Sequence, residues 1–402
     1  MSKEIMILLS QLEGGVSTVA INLSNALSRQ GYHVYLIPTQ QPKESVKSEY
    51  ISLLDKSVNI YYLKNDTINS GNFRPKAVLL FAKTRIKLAS VFGMNPSNKA
   101  LIQKRYSQTI YRKTKLLRRF FKCHNNCTVV ALGHHSIWIS LLASKNLKVN
   151  KIIISDRSDP NTEATGRTCQ AFIKELYPKA DKMVFQTPDA MQWYKDRIDV
   201  KGEVIFNPVR ANLPEPFVGE RKKIIVDFCR INPQKNLNLL ISAFEKIWFD
   251  YPDYVLHIYG DDNGLTPEYT SKFIQAVKNS CCNGSIKVFP ARSDIHDLVR
   301  DHYMFVSSSD YEGMSNSMLE AMAIGLPTIC TDCPIGGARA VIKDHFNGIL
   351  TPVGDVDALY LAMKELIDSP ELAKKISSNG IKVRETQAID RIVSQWINVI
   401  EE

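Results

Sequence analysis

Short apolar runs of strand length alternate with amphipathic stretches of helical length along almost the whole chain. In the first half, the predicted strands are residues 5–9, 33–37, 78–81, 128–132, 152–155, 182–186 and 202–206. In the second half, they are residues 223–228, 255–260, 286–290, 304–307 and 327–331. Strands that alternate with helices build parallel sheets that carry helices on their faces. The sequence therefore predicts an α/β fold with one parallel sheet in each half.

A proline-punctuated segment separates the two halves. Residues 209–222 are polar, contain Pro214 and Pro216, and lack helical or strand periodicity, which is typical of a linker. A chain of 402 residues is also too long for one compact core. We therefore predict an N-terminal domain over residues 1–208, a C-terminal domain over residues 209–385 and a terminal helix over residues 386–402.

Positive charge is concentrated in one part of the N-terminal half. The net charge is +10, yet no acidic residue occurs between Thr67 and Ser155, where 17 of the 51 basic residues lie. From Lys99 to Lys122, nine basic residues alternate with apolar and aromatic ones at helical spacing. This pattern is typical of a helix on an anionic membrane surface, although nucleic acid is a rival partner and a solvated helix a third interpretation. We favour the membrane and predict no nucleic-acid binding, because no nucleic-acid-binding motif accompanies the charge.

Features of a secreted or metal-binding protein are weak in this sequence. The opening segment, residues 1–10, has an apolar core that is too short for a signal peptide, so a first strand and a cytoplasmic location are expected. No apolar run approaches the roughly 18 residues that a membrane span needs. The eight cysteines are scattered, and the spacing of Cys330 and Cys333 lacks the second matched pair of a zinc site. No metal site is predicted.

The most informative segment lies between Ser307 and Pro327. It reads S-S-S-D-Y-E-G-M-S-N-S-M-L-E-A-M-A-I-G-L-P, with Glu312 in a loop and Glu320 on a predicted helix. Ser315 or Asn316 can cap that helix, whose first backbone N–H groups then form an anion site. Two carboxylates beside an anion site are suited to a nucleotide-sugar, which offers a diphosphate to the N–H groups and hydroxyl groups to the carboxylates.

This segment resembles the E-x7-E signature of retaining glycosyltransferases of the GT-B type (glycosyltransferase family four, group 1). The resemblance implies two Rossmann-like domains that face each other across a cleft, with a C-terminal helix that crosses back to the N-terminal domain. It also implies that Glu312 contacts the donor sugar and that Glu320 holds the ribose. The donor would bind the C-terminal domain, along Gly313, Met314, Ser315 and Asn316.

Further donor-binding residues are assigned through the same resemblance. Arg230 and Lys235 match the R-x4-K-N pattern in which both cations contact the donor pyrophosphate, where fixed positive charge stabilises a leaving nucleoside diphosphate. Pro290 is expected to border the base. In the first turn, Gly14 and Gly15 let the backbone approach the donor diphosphate or the acceptor, although a purely structural role for these glycines remains open.

The N-terminal domain departs more from the family pattern. Many relatives carry a histidine after the strand 152–155, whereas this chain has Ser155-Asp156-Arg157-Ser158-Asp159-Pro160. Asp156 and Arg157 are candidates for sugar or acceptor contacts, with a structural turn as the alternative. His134 or its neighbour His135, at the end of the preceding strand, is a further acceptor-side candidate.

The resemblance leads to a specific functional hypothesis. The chain is expected to be a metal-independent hexosyl- or N-acetylhexosaminyltransferase that needs no cofactor and uses a nucleotide-sugar donor, with uridine as the family's commonest base. A lipid-linked glycan acceptor is expected, in capsule, exopolysaccharide or cell-wall polysaccharide synthesis on the inner face of the cell membrane. A non-catalytic GT-B subunit of a transferase complex and a GT-B nucleotide-sugar epimerase remain the alternatives.

Overall fold

Two sheets of parallel strands organise the protein. The computed structural model describes residues 4–12, 14–40, 50–63, 76–91, 95–106, 110–163, 165–210, 212–262 and 264–402. The chain divides into two compact units. The first comprises Met1–Ile205 together with Ile392–Glu402, and the second comprises Phe206–Arg391.

The first unit is built on a seven-stranded sheet. Its strands are β1 (Glu4–Leu9), β2 (His33–Pro38), β3 (Asn59–Ile60), β4 (Thr128–Leu132), β5 (Lys151–Ser155), β6 (Lys182–Phe185) and β7 (Gly202–Val204). They pair in parallel in the order β3-β2-β1-β4-β5-β6-β7. The central strands β1 and β4 are almost completely buried, as expected for parallel strands covered on both faces.

The helices of the first unit connect these strands. They are α1 (Gly14–Arg29), α2 (Lys76–Val91), α3 (Asn98–Arg105), α4 (Tyr111–Cys123), α5 (His134–Ala143), α6 (Pro160–Glu163), α7 (Arg167–Leu176) and α8 (Pro188–Lys195), with a 3₁₀ turn at Tyr177–Lys179. No helix within the described ranges is long and apolar enough to cross a membrane.

The second unit repeats the plan with six strands. These are β8 (Lys222–Phe228), β9 (Val255–Tyr259), β10 (Ile286–Phe289), β11 (His302–Ser307), β12 (Thr328–Thr331) and β13 (Ile349–Thr351), all parallel, in the order β10-β9-β8-β11-β12-β13. Its helices are α9 (Leu237–Asp250), α10 (Pro267–Asn279), α11 (Ile295–Val299), α12 (Asn316–Ala323), α13 (Val356–Asp368), α14 (Pro370–Gly380) and α15 (Val383–Thr386). Single 3₁₀ turns lie at Pro233–Lys235 and Asn283–Ser285.

The last helix, α16 (Ile389–Glu401), returns the chain to the first unit. Its apolar face, which includes Trp396 and Ile400, is buried. Lys151 Nζ donates hydrogen bonds to the carbonyl oxygens of Val399 and Ile400, at 3.3 and 2.9 Å, so the start of β5 caps the end of the helix. The terminal helix predicted over residues 386–402 is therefore present and packs on the first unit.

The structure corrects one predicted strand. Residues 78–81 form part of helix α2, not a strand. The run Val78-Leu-Leu-Phe81 is apolar enough for a buried strand, but periodicity cannot distinguish such a short run from a helix. The following residues, from Ala82 to Ser90, include strong helix formers and continue the helix. The short edge strands β3 and β13 were not predicted, because two or three residues carry too little pattern.

The structure also changes the interpretation of the segment from Lys99 to Lys122. Its most regular part is α4, in which the apolar residues Leu116, Leu117, Phe120 and Phe121 are buried. Leu117, Phe120 and Phe121 belong to the core of the first unit, which they share with residues of β4 and α5. The apolar face of α4 is therefore occupied by the protein itself, and basic side chains such as Arg112 and Lys115 face outward.

Candidate functional site

Two loops meet at the carboxyl edge of the second sheet. The loop after β8 and the loop after β11 are neighbours because these strands pair in parallel. The Asp310 amide donates to the Gln234 carbonyl oxygen at 2.9 Å, and Gln234 Nε2 donates to the Tyr311 carbonyl oxygen at 2.8 Å. Ser308 Oγ also donates to the Lys235 carbonyl oxygen at 2.9 Å. These bonds fix the two loops as one rigid surface.

Lys235 and Glu312 form an ion pair on this surface. Lys235 Nζ donates to Glu312 Oε1, and the two side chains are only 10% and 15% exposed. Ser309 Oγ donates a second hydrogen bond to the same carboxylate oxygen, at 2.9 Å. Burial favours the neutral amine, but attraction to Glu312 outweighs it and raises the pKa of Lys235 above its usual value. Lys235 is therefore a fixed cation at neutral pH.

Arg230 supplies a second cation that is available to a ligand. It follows β8 by two residues and is exposed, with no hydrogen bond or ion pair to any residue that the structure describes. The two cations therefore differ in mobility. Lys235 is held in place by the Glu312 carboxylate, whereas Arg230 is free to reorient toward an anion.

The N-terminus of α12 lies directly after the Glu312 loop. Ser315 is its cap and accepts a hydrogen bond from the Met318 amide at 3.3 Å. Asn207 Nδ2 donates to the Met314 carbonyl oxygen and to Asn316 Oδ1, at 3.1 and 2.7 Å. These two hydrogen bonds hold the turn before α12 in place. Ser315 rather than Asn316 is therefore the cap, and Asn316 is engaged by Asn207.

Close backbone packing holds the turn around Gly313 in place. A Cβ atom on Gly337 would lie 1.7 Å from the Gly313 carbonyl oxygen, so only glycine permits this approach. On the neighbouring strands, the Gly260 amide donates to the Phe289 carbonyl oxygen at 2.9 Å, which places Pro290 beside the end of β9. Pro290 itself is exposed at this edge.

Glu320 lies on α12, and each of its carboxylate oxygens contacts a nitrogen atom of another side chain. His296 Nε2 lies 2.9 Å from Glu320 Oε2, and Arg210 Nε lies 3.3 Å from Glu320 Oε1. The His296 side chain is 7% exposed, whereas that of Arg210 is 42% exposed, so the two contacts differ in mobility. Sequence reasoning missed both residues, because neither lies in a motif and only the fold brings α11 and the linker to α12.

A buried carboxyl group lies beneath the ion pair. Asp227, at the end of β8, is 1% exposed, and its Oδ1 has no hydrogen-bond partner among the described residues. Its Oδ2 accepts a weak hydrogen bond from Cys229 Sγ at 3.4 Å. Burial raises the pKa of Asp227 to about 6, and attraction to Lys235 offsets only part of this rise. Sequence reasoning did not single out this residue.

In the first unit, the predicted residues lie at the carboxyl ends of adjacent strands. β4 pairs with both β1 and β5, so the loops after these three strands are neighbours. Gly14 begins α1 with φ of +74° and donates its amide to the Tyr50 hydroxyl at 3.1 Å, while Gly15 is exposed. The paired glycines therefore open the first helix in a backbone conformation that favours glycine at the first position.

His134 and Asp156 form the polar centre of this second cluster. His134 Nδ1 lies 2.8 Å from Asp156 Oδ2, and the Tyr194 hydroxyl donates to the same oxygen at 2.5 Å. The Tyr177 hydroxyl is 2.9 Å from His134 Nδ1. Burial opposes ionisation of Asp156, but the His134 charge and these hydrogen bonds outweigh it, so the pKa of Asp156 falls below its usual value.

The other two candidates of the first unit, Arg157 and His135, differ in charge at neutral pH. Arg157 is buried and donates from Nη1 to Ser155 Oγ at 3.2 Å. Burial lowers its pKa to about 10, which leaves it cationic at neutral pH. Burial, reinforced by the positive charges of Lys113 and Arg105, lowers the pKa of His135 to about 4, so His135 is neutral at neutral pH. His134 is the histidine that contacts Asp156.

Glu312 and Glu320 in the second unit, and His134 and Asp156 in the first, are thus each paired with polar partners. Within the described parts of the chain, no group of three or more His, Cys, Asp or Glu side chains is arranged to hold a metal ion. The second unit brings together Arg230, Lys235, Glu312, Glu320 and the capped turn before α12. The first unit brings together His134, Asp156 and Arg157 near the turn of Gly14 and Gly15.

The fold and these clusters define a class of enzyme. Two parallel-sheet α/β units, with fixed cations and a capped helix at a carboxyl edge, are the architecture of a GT-B glycosyltransferase. Residues 210–383 match the family described as Glycosyl transferases group 1. The second unit is therefore a group 1 glycosyltransferase domain, as the E-x7-E resemblance implied.

Known proteins similar to this chain are of the same kind. An uncharacterised glycosyltransferase of Haemophilus influenzae is 22% identical over 389 residues, 96% of each chain. A poly(ribitol-phosphate) alpha-N-acetylglucosaminyltransferase of Staphylococcus aureus is 27% identical over 189 residues, 47% of this chain and 37% of that protein. The crystal structure of Anabaena HepE in complex with UDP and glucose aligns with a TM-score of 0.75 at 15% identity, over 99% of both chains.

Asp227→Asn tests the electrostatics beneath the ion pair. The folded protein holds the Asp227 proton up to about pH 6, whereas the unfolded chain releases it near pH 4. The associated stability is therefore present in acid and lost as pH rises through about 6. We expect the variant, which has no charge to bury, to be more stable at pH 8 by about 1–3 kcal/mol and similar to the wild type at pH 4.

Urea denaturation between pH 4 and pH 8 measures this effect. The exposed Glu220→Gln is the control and should show no such pH dependence, since Glu220 is a surface residue of the same unit. A variant that gains nothing at pH 8, or gains equally at every pH, would show that Asp227 is not a strained carboxylate.

Proposed function

We propose that the chain transfers a sugar from a nucleoside-diphosphate sugar to a hydroxyl group, with the anomeric configuration retained. The observation that carries the proposal is the cluster of Lys235, Glu312 and exposed Arg230 beside the capped N-terminus of α12. UDP bound to the similar fold of HepE supports uridine as the base. The alpha-N-acetylglucosaminyl transfer of the S. aureus relative supports retention, because the usual nucleotide-sugar donor is itself an α-glycoside.

The proposed chemistry follows from the charges. As the bond between the anomeric carbon and the diphosphate breaks, negative charge develops on the leaving diphosphate. Arg230, Lys235 and the N–H groups of α12 stabilise that charge and supply the positive charge that a metal ion provides elsewhere. Glu312 accepts hydrogen bonds from the donor sugar, and Glu320 accepts them from the ribose. A leaving phosphate oxygen takes the proton of the incoming hydroxyl on the same face of the sugar.

The acceptor is proposed to be a glycan, carried on a lipid, in bacterial polysaccharide synthesis. The His134–Asp156 cluster and Arg157 are its proposed contacts in the first unit, since they offer a polar edge beside the first turn. The excess of basic residues between Thr67 and Ser155 supports peripheral binding to the inner face of the cell membrane. In this proposal, the segment from Lys99 to Lys122 contributes charge alone, because its apolar face is buried.

Thermal stabilisation by nucleotides tests the donor site. Purified protein is heated with UDP or GDP, with and without EDTA, beside Glu320→Ala. We expect UDP to raise the melting temperature, EDTA to leave the rise unchanged and the variant to lose it. Stabilisation by GDP alone would assign guanosine rather than uridine to the donor. Stabilisation that requires a metal ion would overturn metal independence. No stabilisation by either nucleotide would favour a non-catalytic subunit.

Arg230→Ala tests the leaving-group assignment. We expect a loss in transfer rate of at least about tenfold, since a cation that contacts the leaving group in the transition state contributes about 1.4 kcal/mol or more. The measurement is release of UDP from a UDP-sugar in the presence of acceptor. The control is Lys223→Ala, which removes an exposed cation from the opposite end of β8. Equal rates in the two variants would contradict the role of Arg230.

His296→Leu tests whether His296 orients Glu320 toward the ribose. Loss of the 2.9 Å contact frees one carboxylate oxygen to rotate, so we expect the preference for UDP over its 2′,3′-dideoxy analogue to fall about five- to tenfold. His296→Gln, which can still donate to Glu320, should retain most of that preference. Calorimetry measures both affinities. An equal weakening toward the two nucleotides would indicate a purely structural role.

A further inference from the structure

Helix α2 displays large apolar side chains to solvent. Leu80, Phe81, Leu88 and Val91 are 66%, 69%, 51% and 69% exposed. Four such residues within twelve positions of one helix form an apolar surface that a soluble protein rarely leaves uncovered. The proposed function leaves this surface unused, and the sequence had suggested a buried strand for part of it.

These residues share one face of the helix. Leu80, Leu88 and Val91 are spaced at i, i+8 and i+11, which at about 100° per residue places them on one side, with Phe81 at its margin. The opposite side carries Ala82, which is buried, followed by Ile86 and Ala89, which are half-buried. α2 therefore packs on the protein through a narrow face of small and medium residues. Its bulkier apolar face points away.

Basic residues flank the outward face on both sides. Lys83 and Lys87 follow one margin of the apolar stripe, and Arg85 follows the other, all three exposed. The neighbouring helix α3, which packs against α2, exposes Lys99 and Arg105. No acidic residue occurs between Thr67 and Ser155 in the sequence. Glu175 of α7 accepts a hydrogen bond from Asn98 Nδ2 at 3.0 Å, at the start of α3. An apolar stripe bordered by cations fits the boundary between lipid headgroups and acyl chains.

The charge selects among possible occupants. A second copy of this chain would bring an equally basic surface against the first, and like charges across an interface repel. A bilayer that contains anionic lipids offers both complementary charge and an apolar interior. We propose that α2 lies in the plane of an anionic membrane, with Leu80, Phe81, Leu88 and Val91 inserted among the acyl chains.

This inference extends the proposed peripheral membrane binding and assigns it to a specific element. Lys83, Arg85 and Lys87 lie at the headgroups, and the buried apolar face of α4 takes no part. Charge attracts the protein to the surface, whereas the apolar stripe of α2 keeps it there. The two contributions respond differently to salt, which screens charge but not apolar burial.

Vesicle sedimentation tests the role of the stripe. The full chain is mixed with vesicles of phosphatidylcholine alone or with about one third phosphatidylglycerol. We expect binding to the anionic vesicles, and a loss of at least about tenfold when Leu80, Phe81, Leu88 and Val91 are all replaced by Ser. In the matched control, Ser replaces Val218, Phe249 and Leu361 of the second unit, which are 94%, 83% and 58% exposed. This control should bind the vesicles like the wild type.

A local probe tests insertion itself. In the Phe81→Trp variant, the fluorescence emission of the new tryptophan should shift to the blue when anionic vesicles are added. Brominated acyl chains should quench this emission. The Phe249→Trp variant should show neither effect. Undiminished binding by the four-Ser variant, or a Phe81→Trp probe that stays in water, would overturn the proposal. A dimer in sedimentation velocity that the four-Ser variant loses would assign the stripe to a second copy instead.

Stabilisation by UDP separates this inference from the proposed function. The four-Ser variant should keep the same thermal stabilisation by UDP as the wild type, which also shows that it is folded. Vesicle binding without any response to UDP would leave the membrane helix standing and overturn the donor site. A response to UDP without vesicle binding would do the reverse.

Discussion

Parallel pairing of the strands is the constraint on which both clusters of functional side chains depend. Because every strand of a sheet runs in the same direction, all their carboxyl ends meet at one edge, where the loops can converge. Lys235 and Glu312 are 77 positions apart in the chain, yet they form an ion pair because β8 and β11 are neighbours. His134 meets Asp156 in the same way, through the pairing of β4 with β5.

The charged groups at these edges are stabilised by one another. Removing a charge from water is costly unless a partner and further hydrogen bonds compensate it. Lys235 is paired with Glu312, and Glu320 with His296 and Arg210. Asp227 Oδ1, in contrast, has no hydrogen-bond partner among the described residues, and burial raises the pKa of Asp227. The carboxyl edge of the second sheet therefore combines compensated charges, a buried carboxyl group with a raised pKa and the exposed Arg230. In the proposed function, Arg230 is thus the cation that meets the diphosphate without a competing protein partner within the described structure.

The two amphipathic helices of the basic region show how one pattern leads to different outcomes. In α4, Leu117, Phe120 and Phe121 pack into the core of the first unit, and most of the basic residues are exposed. In α2, the core takes only Ala82 and parts of Ile86 and Ala89, which leaves the larger apolar residues outside. Sequence spacing can show that a helix has an apolar face. It cannot show whether that face meets the protein or a bilayer.

The sequence by itself determined the α/β class and nearly all of the strands, because strand patterns are local. It also singled out Arg230, Lys235, Glu312 and Glu320 as candidate donor-site residues, because they lie in continuous motifs. Tertiary structure decided the helical state of residues 78–81, the choice of Ser315 as the cap, and the contacts of Glu320 with His296 and Arg210. It also revealed the burial of Asp227. These features depend on strand order and on packing between elements distant in the chain, and no local pattern of residues encodes such contacts.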